Sequence, residues 1–519
     1  MTLPRYYLSL QYSAIQKTVL RHDRLWYVAG ISQGLAKLNE VGLPSIIENM
    51  YGGKILVAGG GKCTAVFMDK KKSENALAAI KKEIATTFPM LEFQLSVKPM
   101  EAADFQDAWK KGLIKDLNNQ KKQFRGYGVS FNPHLSLCPE CGEYPASTGT
   151  EAKGANKGTP LCAICHGAQT GAWSLAGTMS GSSVGATIEQ IYTKFRGGRT
   201  DLKIPINFED LSQWRRTKEE KKPRMVVWFS DLNNMNGKVP LWLRQEDEDI
   251  KNTFTKVKED NITIVSESLK ATFKNLVAGY LPFRLIVAGG DDLCIAMDEP
   301  FILSFCLNYA KTLEDKISKL EKDHPLNAEW LENKNKQLCE ADEEWKKNHN
   351  PNDKPTPYCF GGSFVVTSTH TPFRRIHEVG EELMSEAKSE TDRQGNSVNW
   401  VIMAVEKDAL SEKLIPFEKP LLITGKYKGR LSFADYDDLL KTYRKKISGS
   451  QVQRIITAII EEKGNNDAVE DWMIRQASRE TDKLYSKLLT DNCFLENNKF
   501  QADRLATLLE LMGIEYYEG

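Results

Sequence analysis

Two aspartates side by side at the tip of a hairpin are the clearest chemical signal in this sequence. The stretch LIVAGGDDLCIAM, residues 285–297, reads as two short apolar strands joined by a tight turn carrying Asp291 and Asp292. Upstream, MVVWFSD at 225–231 reads as a strand that ends on Asp231. Where such a strand lies beside the hairpin the three carboxylates can share metal ions, and hard oxygen ligands suit magnesium or manganese. An ion held this way neutralises a triphosphate and lowers the pKa of an attacking hydroxyl, which is what moving a nucleotidyl group from ATP requires. Asp231 and Asp291 are the expected metal ligands, and with Asp292, as a third ligand or a base, they form the expected catalytic set. Gly289 and Gly290 leave room for a close-lying nucleotide, and Ser230, Asn233 and Asn234 add polar groups. Lys388, at the end of the helix EVGEELMSEAK, is placed to reach a triphosphate. Gly and Asp are also the commonest turn formers, so what favours a metal site is the matching WFSDLNN strand.

The stretch ILVAGGGKCTAVFMD, residues 55–69, repeats the hairpin without its acids. Gly61 and Lys62 stand where Asp291 and Asp292 stand in the other copy, and Gln11 roughly matches Asp231.

Cys138-Pro-Glu-Cys141 and Cys162-Ala-Ile-Cys165 form two CxxC pairs, a spacing suited to four thiolates around one zinc. Four sulfurs close the coordination sphere, so the expected role is structural, with His134 or His166 as substitutes only if a cysteine points away. Cys63, Cys294, Cys306, Cys339, Cys359 and Cys493 are scattered and read as packing residues. Ten cysteines in 519 residues are too sparse for a disulfide framework and favour a reducing, cytoplasmic setting.

The elements that must position these groups fall into two similar series. RYYLSLQ at 5–11 suits a strand, 15–38 a helix, then come the Gly-rich hairpin, the helix ENALAAIKKEIATTF at 74–88 and the strand LEFQLSVK at 91–98. The same strand, helix, hairpin, helix, strand order returns from MVVWFSD through the acidic hairpin, PFILSFCLNYAKTLEDKI, FGGSFVVT and VNWVIMAV. The expected class is α+β, with two ferredoxin-like palm domains at 1–115 and 223–410. A zinc-binding and helical connector spans 116–222, and a helical domain 411–519. A charged helix leading into a mobile surface insert is expected at 312–357, where Lys, Glu, Asn and Pro crowd together.

Charged residues make up 27% and the formal net charge is +1, so bulk charge does not mark a nucleic-acid coat. Local basic clusters at Lys194, Arg196 and Arg199, and at Arg215, Arg216 and Lys218 beside Trp214, could track phosphates, although such runs are more often solvated faces. No segment approaches the length of a membrane span.

FSDLNN, AGGDDL and GGSFVVTSTHTPFRRIHEVGEELMSEAK together resemble the polymerase-cyclase palm of the large subunit of type III CRISPR effector complexes, of the Cmr-like kind. SAIQKTVLRHDRLWYVAGIS is similar to the opening helix of that family's first palm, and the resemblance extends over nearly the whole chain. It implies two palms packed face to face with ATP between them, and a cyclic oligoadenylate messenger made when target RNA is bound. Asp231, Asp291 and Asp292 take the metal and catalytic positions, and Gly60, Gly61 and Lys62 form a degenerate half that binds nucleotide without activating it. The implied partners are the other subunits, with guide RNA and target RNA reached through them.

Many members of that family begin with an HD-type nuclease domain, whereas this sequence opens at the palm strand and has only His22-Asp23. One such dipeptide cannot supply the ligands of a metal nuclease, so no HD nuclease activity is expected. Some members without that domain are thought to join AMP to S-adenosylmethionine instead. Asp69 and Glu151 are the candidate acids for such an acceptor pocket. Two other readings compete: a catalytically silent subunit that scaffolds the guide-RNA complex, and a stand-alone diguanylate-type cyclase, which the disarmed internal copy disfavours.

Overall fold

The computed structural model describes residues 4–12, 19, 23–59, 61–88, 93–96, 98–113, 115, 117, 136–142, 145–146, 158–169, 186–215, 224–276, 279–289, 291–348, 350–351, 358–403, 417–478, 484–497 and 499–514. The first series runs β1 (Arg5–Tyr12), α1 (Leu25–Lys37), the hairpin β2 (Lys54–Gly59) and β3 (Lys62–Phe67), α2 (Lys70–Thr87) and β4 (Phe93–Leu95). Its sheet order is β2-β3-β1-β4, and β5 (Met100–Ala102), which leads into α3 (Phe105–Lys110), also pairs with β1. Alternation along β1 separates its faces: Leu8 and Leu10 pack with Ile80 and Ile84 of α2, while Tyr7 packs toward Phe105.

After helix α4 (Thr187–Arg196), the second series has β6 (Arg224–Leu232), α5 (Met235–Leu243), α6 (Asp247–Thr272), the hairpin β7 (Phe283–Gly289) and β8 (Asp292–Asp298), and α7 (Ile302–Ile317). It continues with α8 (Ala328–Ala341), α9 (Glu343–Asn348), β9 (Phe360–Ser368), α10 (Phe373–Glu390), β10 (Ser397–Ile402) and β11 (Leu421–Leu422). The order in this sheet is β11-β10-β9-β6-β8-β7. β9 and β10 pair in parallel across the helix α10, and the other pairs are antiparallel. Helices α11 (Phe433–Tyr443), α12 (Gly449–Glu461), α13 (Asn466–Ala477), α14 (Leu484–Thr490) and α15 (Ala502–Met512) close the chain and share one apolar core with α6, α7 and one face of the second sheet.

Each series covers the other's open sheet face. Helix α6 lies on β2, tied down by Asp247, which takes Arg5 at 2.7 Å and the Tyr7 hydroxyl at 2.9 Å. Helix α1 lies in turn on β7, and the core it helps to form contains Phe229, Ile286 and Cys294 from the second sheet. The exchange brings the two hairpins to one cavity.

The segment 312–357 departs from expectation. Its charged residues are numerous, but the apolar ones recur at helical spacing, so α8 and α9 bury Leu331, Cys339 and Trp345 against Leu241 of α5. Asp342 holds Arg244 at 2.6 Å and Lys110 of α3 at 3.6 Å, so the helical part is a packed strap and not a mobile insert. Residues 349 and 352–357 lie outside the described residues.

Candidate functional site

Backbone register decides how the acids meet. Asp292 pairs directly with Asp231 across β8 and β6, and the Leu232 amide donates to the Asp291 carbonyl at 3.1 Å. Asp231, Asp291 and Asp292 each offer an oxygen such that all three lie within 4.8 Å of one another, close enough to share an ion. Burial and then the Asp231 charge push the Asp291 pKa up, while the Lys62 and Lys388 ammoniums pull it down. Burial, then Asp291, Asp231 and Glu381, push Asp292 up to about 7. Asp292 keeps an exposed surface on the cavity, directly beside the like charges of Asp231 and Asp291. Crowded carboxylates of this kind fit a divalent cation, which would relieve their repulsion.

Lys388 reaches the acidic cluster from α10. Its ammonium pairs with Asp231, and it is 8% exposed. The lysine stem crosses Gly361, the register partner of Asp231, where a Cβ would come within 2.2 Å of the lysine Cγ. Glu381, whose pKa burial and then Asp231 raise, stands on the same helix α10. Sequence reading missed Gly361 and Glu381. The signals were a glycine pair inside a strand, which marks a close approach, and a helical spacing that puts Glu381 and Lys388 on one face.

Ser230 is also corrected. It is 3% exposed and accepts from the Trp228 indole at 3.1 Å, because alternation turns it to the face opposite Asp231. Asn233 is buried too: its amide nitrogens donate to the Cys359 carbonyl at 2.7 Å from the backbone and to the Cys359 sulfur at 3.2 Å from the side chain. Lys238, 2% exposed, donates to the Asn233 carbonyl at 2.9 Å from behind the turn.

The first hairpin faces this cluster. Lys62 pairs with Gly59 across the hairpin and with Gln11 across β1, the register in which Asp292 pairs with Gly289 and Asp231. A cavity of about 610 Å³ is lined by Gln11, Gly59 and Lys62 from the first sheet and by Gly289, Asp291 and Asp292 from the second. Ser9 and Thr64, bonded to each other at 3.0 Å, add hydroxyls to its wall. Glu40 and Glu48, not anticipated from the sequence, line it as partners of Lys258 at 2.6 Å and Lys251 at 3.2 Å. Asp69 is elsewhere. It caps helix α2, accepting from the Lys72 amide at 2.8 Å, and does not line this cavity. Gly60, Gly290 and Glu151 lie outside the described residues.

Cys138, Cys141, Cys162 and Cys165 bring their sulfurs within 4.8 Å of one another. Hydrogen bonding between the crowded Cys141 and Cys162 sulfurs pushes the Cys162 thiol up to about 12. The donor set fits a tetrahedral zinc. The module seats on α1, where a Cβ on Gly30 would meet the Ala168 carbonyl oxygen at 1.9 Å. Cys63, Cys294, Cys306, Cys339 and Cys359 are buried and Cys493 is half-buried. His134 lies outside the described residues, and His166 is half-buried.

In the first basic cluster Arg196 is 8% exposed, while on the surface Lys194 donates to Thr263 at 3.0 Å and Arg199 pairs with Asp201 at 2.6 Å. The side chains of Trp214, Arg215, Arg216 and Lys218 lie outside the described residues, as does His22. Asp23 accepts from the Arg374 amide at the start of α10, at 3.3 Å.

Two sheets that cover each other's faces around a carboxylate-lined cavity define a two-lobed α and β protein. Its fold is that of Csm1. The crystal structure of Csm1 in T. onnurineus superposes with a TM-score of 0.53 at 14% identity, covering 98% of this chain and 69% of that one. A Csm1-Csm4 cassette in complex with cA4 gives 0.52 at 13% identity, and one in complex with one ATP gives 0.51 at 13%, each covering 98% of this chain and 70% of the other. No protein-family model and no curated protein matches the sequence. Among the described residues no helix is long and apolar enough to cross a membrane.

Proposed function

We propose that this protein is the metal-dependent nucleotidyltransferase subunit of a type III CRISPR effector complex, using ATP to make an adenylate second messenger when the complex binds target RNA. The observation that carries this reading is the convergence of Asp231, Asp291 and Asp292 on a cavity whose other wall is a disarmed copy of the same hairpin. The Csm1 fold, known in complexes with ATP and cA4, supports it.

Asp231 and Asp291 would hold magnesium or manganese, which supplies charge neutralisation on the triphosphate and a more acidic attacking hydroxyl. Lys388, paired with Asp231, aims that carboxylate at the cluster. An acceptor hydroxyl lying toward Gln11 and Lys62 attacks the α-phosphorus of the donor nucleotide. The new P–O bond forms as the bond to pyrophosphate breaks, and the hydroxyl proton passes to a nearby base. The Asp292 carboxylate, on the cavity beside Asp231 and Asp291, is a chemically suitable one. Zinc on Cys138, Cys141, Cys162 and Cys165 would fasten the connector to α1.

The acceptor is a second ATP, leading to a cyclic oligoadenylate, or S-adenosylmethionine, leading to a conjugate with AMP. Asp69, one of the two acids considered for the conjugate, caps a helix and does not line the cavity, which favours the oligoadenylate as the product. The partners in this reading are the other subunits of the complex, with guide and target RNA bound through them. A silent scaffolding subunit would have no use for crowded carboxylates on an open cavity.

The test is to incubate the assembled complex with target RNA, metal and ATP, with and without S-adenosylmethionine, and weigh the products. An adenylate product that vanishes without metal is expected, and no ATP turnover under any of these conditions would overturn the reading. A product whose mass includes S-adenosylmethionine would select the conjugate.

A further inference from the structure

Two buried arginines stand behind the armed hairpin without enough acid to match them. Arg284 lies on β7 and is 1% exposed. Its Nη1 donates to the Pro205 carbonyl at 3.0 Å, while Nε and Nη2 are buried with no hydrogen-bond partner. Arg196, the last residue of α4, is 8% exposed, and its Nε is likewise buried and unpartnered. A guanidinium keeps its proton in a protein, so both side chains are buried as cations, and an uncompensated buried charge is strongly unfavourable. Arg504, at 5% exposure, shows how this chain satisfies such a group elsewhere. Its Nε donates to Glu418, its Nη1 to the Cys493 and Leu495 carbonyls, and its Nη2 to the Gly429 carbonyl and Glu496.

Tyr192 links the two unsatisfied arginines. It stands one turn before Arg196 on the same face of α4, and its ring stacks on Phe283 with centroids 5.8 Å apart. Its hydroxyl oxygen accepts from the Leu285 amide at 2.9 Å, next to Arg284 in the chain. Burial raises the Tyr192 pKa while the Arg284 and Arg196 charges pull it down, so both guanidiniums act on this one phenol. With the oxygen taken by the amide, the hydroxyl hydrogen is a further donor. Among the described residues, Asp201 is the acid that acts on Arg196, and Arg199 already takes both its oxygens, at 2.6 and 3.1 Å. No carboxylate among those residues acts on Arg284.

We infer that Arg284, Arg196 and Tyr192 bind a monovalent inorganic anion, chloride being the natural occupant, which fastens α4 to the edge strand of the armed hairpin. Donors gather here without acceptors, a set that suits an anion and repels a cation. Asp201 faces Arg196, so the charge left uncompensated is that of Arg284, and one negative charge balances it. The enclosure of Arg284 selects a small ion that sheds its water over a phosphodiester that would bring its chain along. The site is separate from the carboxylate cavity and does not depend on the reaction proposed above.

The test follows thermal melting of the purified full-length chain as potassium gluconate is replaced by potassium chloride at constant ionic strength, gluconate being too bulky for an enclosed site. Wild type should gain about 1–2 °C for each ten-fold rise in chloride above its dissociation constant. Arg284→Met keeps the length of the side chain, removes the charge and should abolish that slope. If Arg284→Met fails to fold, Arg196→Gln, nearer the surface, should move the chloride response to ~10-fold higher concentration or beyond. Crystals grown in bromide should show an anomalous peak within hydrogen-bonding reach of Arg284 Nη2 and the Tyr192 hydroxyl.

A chloride slope that the folded variants keep unchanged overturns the inference, as does the lack of any slope in wild type. Bromide absent from this position overturns it too, and so does stabilisation by phosphate with none by halide. A bromide peak beside a flat melting response would be an adventitious ion only, and would equally sink the site.

Discussion

The two hairpins share a register and differ in what the register delivers. At the second tip Asp292 faces Asp231 across the sheet; at the first, Lys62 faces Gln11. The difference extends beyond the tips. In the second sheet the residues one step inward on the same face, Phe229 and Cys294, are buried in an apolar core shared with α1 and α10. Their counterparts in the first sheet are Ser9 and Thr64, whose hydroxyls line the cavity. One copy has been filled with apolar packing beneath its acids, and burial there raises the Asp291 and Asp292 pKa values. The other has kept polar groups facing an open space. A pair built this way suits one side for metal-assisted chemistry and the other for holding a partner molecule.

The comparison breaks most plainly at the acids themselves. Replacing Asp291 and Asp292 by Asn should lower product formation on the order of 10³-fold or more. The melting curve and assembly with other subunits should stay near wild type, since relieving like charges does not cost stability. Retained activity, measured by chromatography of the products, would mean that the two hairpins are equivalent after all.

A smaller effect is expected at Gly361, which has its role only on the armed side. Gly361→Ala places a Cβ within 2.2 Å of the Lys388 Cγ and pushes the lysine off Asp231. We expect a loss of about 10²-fold in kcat from the displaced carboxylate, with a destabilisation of about 1–3 kcal/mol from overpacking. If the loss appears in KM alone, Lys388 acts on nucleotide binding and not through Asp231.

On the disarmed side, Lys62→Ala should raise KM for ATP about 3- to 10-fold and leave kcat much closer to wild type, as for loss of one charge-assisted phosphate contact. A kcat loss as deep as that of the aspartate variants would show that the first hairpin shares in the chemistry.

The smallest effect concerns the turn behind Asp231. Burial lowers the Lys238 pKa from 10.5 to about 8, so the unfolded chain binds more protons than the folded one between those values. Lys238 therefore makes the protein more stable as pH rises from about 8 to 10.5, by up to ~3 kcal/mol. Denaturant titrations of wild type and Lys238→Met across that window should show the difference between them growing in favour of wild type. A pH-independent difference would mean that the ammonium is solvated.

Much of this was legible in the residues. Hairpin tips, the strand ending on Asp231 and the paired CxxC units were readable because alternation, turn chemistry and ligand spacing are local properties of the chain. Other features were not. Ser230 lay beside a catalytic aspartate in sequence, yet strand alternation sends neighbours to opposite faces, and which face held the core could not be known from β6 by itself. Asp69 looked like a free acid at the end of the first hairpin and proved to be the cap of the next helix, a role that its position before KKKSEN made available. The charged run at 312–357 read as mobile because composition averages over the helix faces that packing separates.

By itself the sequence determined the types of group present, the two hairpins, their register and the asymmetry between Asp292 and Lys62, since all of these follow from residue identity and period. Only the tertiary structure decided that α1 and α6 exchange places on the two sheets, bringing the hairpins to one cavity. That outcome depends on long-range burial of apolar faces, whose partners are named nowhere in the local pattern.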